Sequence, residues 1–223
     1  MCLFFNSNCL INKITNQFIS IPINISICKK IIIYTLYGHI GKLAESVAAG
    51  VKSSGLEADI YQVAETLSPE ILELMHAPPK PKYPIATAET LTKYDGLLFG
   101  IPTRYGNFPA QLKAFIDSTG GLWASGALYQ KPYGVFVSTG TGGGRETTAV
   151  NSLSTFVHHG LIYVPLGYAP VFQDITNLNE VHGASPWGAG TIAGPDGSRQ
   201  PTELELRIAK IQGTEFGKVV KKL

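Results

Sequence analysis

From residue 29 onward, short unbroken apolar runs alternate with stretches whose apolar residues recur at helical spacing. The first run, Ile31-Ile32-Ile33-Tyr34, has no polar interruption, the mark of a strand buried on both faces at the centre of a parallel sheet. A polar loop, Thr35-Leu36-Tyr37-Gly38, comes next. Ile40, Leu43, Ala44, Val47, Ala48 and Val51 then share one stripe and predict a helix ending at Ser54-Gly55. Residues 58–63 alternate as a second strand, and residues 68–75 predict a short helix. Pro78, Pro79, Pro81 and Pro84 hold the following chain extended. A helical turn over 87–93 leads into a third strand, 96–101, which stops at Pro102. A helix over 109–118, a Gly-rich excursion over 120–129 and a fourth strand over 133–137 follow. A helix over 146–159 and a fifth strand over 161–165 come next. Residues 167–200 predict a long Gly-rich loop of the kind that serves function or an interface. Thr202 and Glu205 have capping-box spacing for a closing helix that runs to about Val220.

Strands and helices in strict alternation predict an α/β fold, a doubly wound five-stranded parallel sheet with helices on both faces. A single-phosphate loop after the first strand favours the flavodoxin-like order 2-1-3-4-5 over a six-stranded dinucleotide-binding sheet. That order brings the loops after strands 1, 3 and 4 to the carboxyl edge, at the switch point where ligands bind.

Those three loops are also the least ordinary in composition. Thr35, Leu36, Tyr37, Gly38, His39 and Ile40 join a strand to a helix start, where free N–H groups and the helix dipole suit an anion. The stretch is neither G-x-G-x-x-G nor a P-loop, because Gly41-Lys42 is followed by Leu43. A terminal phosphate held by hydroxyl and N–H groups without a metal is one reading; an ordinary βα turn is the other. Thr103, Arg104, Tyr105 and Asn107 gather a hydroxyl, a cation, an aromatic face and an amide. Ser138, Thr139, Gly140, Thr141, Gly142 and Gly143 let the backbone approach a flat ligand and offer N–H donors to it, and beside a flavin ring they would stabilise charge arising on reduction. A flexible surface turn explains the same glycines. His158-His159 closes a helix, where histidines often only cap carbonyls. His39, His76 and His182 are scattered, no metal-site spacing occurs, and there is no G-x-S-x-G elbow.

Composition narrows the classes. A net charge of +2 over 223 residues is too mild to argue for nucleic acid. Residues 1–28 stand apart: they hold all three cysteines (Cys2, Cys9, Cys28) and, within 1–28, one charge, Lys13. They make a poor secretory signal and a poor transit peptide, and no apolar run reaches spanning length. They read as an extension to a domain covering 29–223. That domain has no cysteine, which fits a reducing, cytoplasmic setting.

Taken in order, Tyr37-Gly-His-Ile40, Pro102-Thr-Arg-Tyr-Gly-Asn107, Thr119–Leu128, Ser138–Gly144, His158-His-Gly160, Val164–Tyr168 and Thr191–Pro201 resemble the motifs of the WrbA-type NAD(P)H:quinone oxidoreductases, a flavodoxin-like FMN-binding family. The resemblance spans about residues 29–223. It implies that Thr35–Ile40 holds the FMN phosphate and ribityl end, that Thr103, Arg104 and Tyr105 flank the ring, and that Ser138–Gly143 binds its pyrimidine side. It implies that His158 completes the pocket, from a neighbouring subunit or its own, as a supporting catalytic group. Tyr37 would meet the nicotinamide nucleotide, NADH or NADPH, and Trp123 would line the quinone entry. The family is a homotetramer, its reaction is ping-pong, and it protects against quinone and oxidative stress. Thr35 stands where Ser is usual, and residues 1–28 have no counterpart in short bacterial members. A one-electron flavodoxin-type carrier and a non-catalytic flavoprotein scaffold are the rival functions. Carriers are shorter and strongly acidic, unlike this chain.

Overall fold

The structure, a computed structural model, describes residues 28–223, with the side chains of 30–223. The extension predicted over 1–28 therefore lies outside the described residues, except that Cys28 opens the first strand. In chain order the elements are β1 (Cys28–Ile33), α1 (His39–Ser53), β2 (Glu57–Gln62), α2 (Pro69–Leu74), α3 (Ala88–Thr92), β3 (Gly96–Pro102) and α4 (Ala110–Asp117). They continue as α5 (Gly120–Ser125), β4 (Pro132–Thr139), α6 (Arg145–Val157), β5 (Ile162–Tyr163), α7 (Phe172–Ile175), β6 (Gly190–Ile192) and α8 (Glu203–Val220).

The strand order is β2-β1-β3-β4-β5, all parallel, as the alternation predicts. Side-chain alternation along β1 divides its isoleucines between two cores. Ile31 and Ile33 join α1 and α8 on one face; Ile32 and Tyr34 join Leu112 and Phe115 of α4 and Phe156 of α6 on the other. An all-apolar run is what a strand covered on both sides requires, and all three isoleucines are fully buried.

Helix α8 reaches the sheet because α1 and α8 touch backbone to backbone. A Cβ on Gly50 would stand 1.9 Å from the Lys210 carbonyl oxygen, and one on Gly213 would stand 2.1 Å from that of Val47. The predicted capping box closes as expected: the Thr202 N–H donates to Glu205 at 3.0 Å, and Thr202 Oγ1 accepts from the Glu205 N–H at 3.4 Å.

Three expectations need correction. The fifth strand is two residues long, since Pro165 has no N–H to continue the ladder. The predicted loop over 167–200 contains α7 and β6, and β6 pairs in parallel with β4 at Val137↔Gly190, Ser138↔Thr191 and Thr139↔Ile192. The fifth position beside β4 is thus shared, with β5 along its first half and β6 along its last. The Gly-rich excursion also contains a helix, α5, anchored by Leu122 against the core.

Candidate active site

The loops after β1, β3, β4 and β6 enclose a cavity of about 300 Å³ at the carboxyl edge of the sheet. Ten residues singled out from the sequence line it: Thr35, Leu36, Tyr37, His39, Ile40, Thr103, Arg104, Ser138, Thr139 and Gly140.

The first wall ends in an open helix terminus. Gly38, the residue before α1, adopts φ 91°, no side chain caps the helix, and its first turn carries no acidic residue. The N–H groups and positive dipole end therefore remain available to an anion. The buried Thr35 hydroxyl accepts from the Gly38 N–H at 3.1 Å, which leaves its own proton free to donate. Among the described residues the Leu36 N–H makes no hydrogen bond within the protein.

The second wall is a tight two-residue turn. Arg104 and Asn107 exchange backbone hydrogen bonds at 3.0 Å, and Tyr105 and Gly106 between them have φ 53° and 74°. Tyr105 is thereby pushed fully into solvent. Arg104 is exposed and has no carboxylate partner among the described residues; its Nη1 donates to the Thr103 carbonyl at 3.0 Å. Thr103 Oγ1 lies 2.6 Å from Thr148 Oγ1, tying the loop to α6. In the third wall Thr139 Oγ1 accepts from the Gly142 N–H at 3.0 Å, again leaving its proton free. Gly38, Tyr105, Asn107, Thr141, Gly142 and Gly143 shape these loops without lining the cavity.

Sequence reasoning missed the fourth wall, Ala193–Gly197. Its only signal is the short alternation of Thr191 and Ile192 between Gly190 and Gly194, inside a motif to which no site role was attached. The Ala193 and Gly194 N–H groups donate to the Thr139 and Gly140 carbonyls, both at 2.8 Å. His39 Nε2 lies 2.9 Å from the Arg199 carbonyl, an acceptor only, so that nitrogen carries the proton. Asp196 brings a carboxylate to the cavity; hydrogen bonds from the Ser198 N–H and hydroxyl hold its pKa below the usual range.

Two predicted residues lie elsewhere in the single chain. His158 lines a second hollow with Lys113, Asp117, Thr119 and His159. There His159 Nε2 sits 3.0 Å from Thr119 Oγ1, and its Nδ1 is buried without a hydrogen-bond partner among the described residues. Burial, with the neighbouring His158 adding to it, pushes the His159 pKa down. Trp123 on α5 is largely exposed and away from the cavity. No group of three or more His, Cys, Asp or Glu among the described residues could hold a metal ion.

The sequence model of a family described as NADPH-dependent FMN reductase matches residues 37–174. The chain is 64% identical over 192 residues to Protoplast secreted protein 2 of Saccharomyces cerevisiae, covering 86% of this chain and 97% of that one. It is 65% identical over 193 residues to NAD(P)H quinone oxidoreductase PST3 of Candida albicans, again covering 86% and 97%. Among solved structures it is similar to the flavodoxin, WrbA-like protein from Agrobacterium tumefaciens. That likeness has a TM-score of 0.62 at 20% identity, covers 88% of this chain and 99% of that one, and supports the fold alone. The chain belongs to the flavodoxin-like NADPH-dependent FMN reductase family, in its branch of NAD(P)H quinone oxidoreductases.

Proposed function

We propose that the chain is an FMN-dependent oxidoreductase that passes two electrons from NADH or NADPH to quinones in ping-pong order. The observation that carries this reading is the uncapped start of α1 beside the Thr35 loop, at the switch point of a sheet whose family reduces FMN. The donors fit a phosphorylated flavin. The orphan Leu36 N–H, the first-turn N–H groups of α1 and the free Thr35 proton suit a phosphate, and the wide Ser138–Gly140 wall suits a ring.

FMN held there would supply the redox chemistry, hydride acceptance from the nicotinamide and two-electron delivery to a quinone. The chain's residues bind and orient. Thr35–Ile40 holds the phosphate and ribityl end; Thr103, Arg104, Tyr105 and Asn107 flank the ring; Ser138–Gly143 turns donors toward its pyrimidine edge, favouring negative charge there. Tyr37 contacts the nicotinamide nucleotide. His158 and Trp123 act across a subunit contact of a homo-oligomer, His158 as a supporting group rather than an indispensable acid or base. One shared face makes the nucleotide leave before the quinone enters. The hydroquinone product gives the enzyme a protective role against quinone stress, in the cytoplasm. No helix among the described residues is long and apolar enough to cross a membrane.

The test is anaerobic mixing of the FMN-loaded, full-length protein with NADH or NADPH and then benzoquinone, followed at about 450 nm, where oxidised flavin absorbs. Rapid bleaching followed by rapid recovery, with parallel lines in double-reciprocal plots, is the expected result. No bleaching with either nucleotide would overturn the enzyme reading and leave the carrier or scaffold. Intersecting lines would overturn the ping-pong order alone.

A further inference from the structure

A cluster outside the cavity grips the backbone of its first wall. Lys80, in the proline-rich segment between α2 and α3, donates from Nζ to the Thr35 carbonyl at 2.8 Å. The same ammonium lies 2.6 Å from Glu65 Oε2 and 4.4 Å from the centre of the Tyr34 ring. Glu65 in turn accepts from the Tyr34 hydroxyl at 3.0 Å, from Gln111 Nε2 at 3.3 Å, and from the N–H groups of Thr66 and Leu67 at 2.9 and 3.1 Å. Lys80 is thus held between a carboxylate and an aromatic face, and the carboxylate is itself fixed by four other donors. Lysine needs such a scaffold to act at one point, since its four-carbon stem is otherwise mobile.

The Thr35 carbonyl and the Leu36 N–H belong to one peptide plane. In a trans peptide the two groups point in opposite directions, and the described chain has no cis bond. Thr35 and Leu36 line the cavity; Lys80 does not. A carbonyl drawn out to Lys80 therefore turns the Leu36 N–H inward, where it has no acceptor among the described residues. Rotation of that plane would present an oxygen to an anion instead, replacing attraction with repulsion.

We infer that Lys80 is a positioning residue of the cofactor site: it holds the Thr35–Leu36 peptide with its N–H, not its carbonyl, toward the phosphate of bound FMN. This rests on the reading of the cavity as an FMN site. Two effects of removing Lys80 are separable. One is loss of peptide orientation. The other is loss of charge balance, because the Glu65 carboxylate then stands unneutralised beside a phosphate loop. Removing both charges leaves only the first.

The experiment titrates the full-length chain, stripped of flavin, with FMN and with riboflavin, which lacks the phosphate, and reads quenching of flavin fluorescence. Lys80→Met is expected to weaken FMN binding about tenfold and riboflavin binding less than about twofold, so that the preference for the phosphorylated form collapses. Lys80→Met combined with Glu65→Gln is expected to show the same loss, and Lys80→Arg, which keeps a donor and a cation, is expected to recover most of it. The inference is overturned if Lys80→Met binds FMN within about twofold of the parent, or loses FMN and riboflavin affinity in equal proportion. It is equally overturned if the double variant regains FMN affinity, since charge balance would then explain the effect. A parent protein that fails to bind FMN at all would overturn the cofactor reading itself along with this one.

Discussion

Glu205 is fully buried at the start of α8 and carries the cavity's fourth wall. It accepts from the N–H groups of Gly183 at 3.1 Å, Ile192 at 3.2 Å and Thr202 at 3.0 Å, and from the Thr191 hydroxyl at 2.8 Å. Its ion pair with Arg199 is 3.0 Å long. Arg199 then accepts from the His39 ring through its carbonyl, so the carboxylate reaches the loop after β1 in two steps. Replacing Glu205 with alanine takes the carboxylate from a guanidinium and the acceptor from three N–H groups and a hydroxyl, around a position that is itself fully buried. Removing one partner of a buried ion pair costs about 3–5 kcal/mol, of which the lost helix cap accounts for about 1 kcal/mol. In a domain of this size each kcal/mol moves Tm by about 2–4 °C, so Glu205→Ala should lower it by roughly 6–20 °C. Glu205→Gln keeps one acceptor oxygen and should fall in between. Calorimetry on flavin-free and FMN-saturated protein measures both parts: the fall in Tm, and a smaller upward shift on adding FMN because the fourth wall is loosened. A fall of less than about 3 °C would refute the reasoning. So would an equal fall for Thr202→Ala, which removes the cap and leaves the wall intact.

Two further outcomes follow from packing and protonation. Gly50→Ala drives a Cβ to within 1.9 Å of the Lys210 carbonyl oxygen, so α1 and α8 must separate; a loss of about 3 kcal/mol or more is expected by urea denaturation, and near-parental stability would contradict the close helix contact. His159 has its pKa lowered from 6.5 by burial and by His158, so the unfolded chain takes up the proton first. Stability should therefore decline as pH falls below about 6.5, and His159→Gln should remove that part of the decline; identical pH profiles of the two proteins would sink the assignment.

The sheet was legible because its central strands β1, β3 and β4 are buried on both faces, and burial on both faces writes itself as unbroken apolar runs such as Ile31–Tyr34 and Gly96–Ile101. Three of the four cavity walls were legible because they follow such runs directly. The fourth was not. β6 is three residues long and contains a glycine, too short for any period to register, and it exists because the β4 edge is left open beyond Tyr133. That edge is open because Pro165 halts β5, a break the apolar pattern of 161–165 conceals. α5 was hidden in the same way: Gly120-Gly121 is a poor helix start, and packing of Leu122 overrides it. His158 and Trp123 lie away from the cavity in the single chain, His158 in a second hollow and Trp123 largely exposed on α5.

Two carboxylates, half-buried Glu65 and fully buried Glu205, act on opposite ends of one short loop. At one end Glu65 fixes Lys80, and Lys80 holds the Thr35 carbonyl; at the other Glu205 fixes Arg199, whose carbonyl receives the His39 ring. Residues 35–39 are thus clamped by segments 45 and 160 positions away in sequence. Ordering such a loop only when a ligand arrives would subtract from affinity. With both ends already held, that ordering is complete before binding. The split fifth strand has its purpose in this arrangement. A continuous β5 would fill the β4 edge and leave no chain to return at its carboxyl end, whereas the detour through α7 brings Ala193–Arg199 back to close the cavity and secure the second clamp.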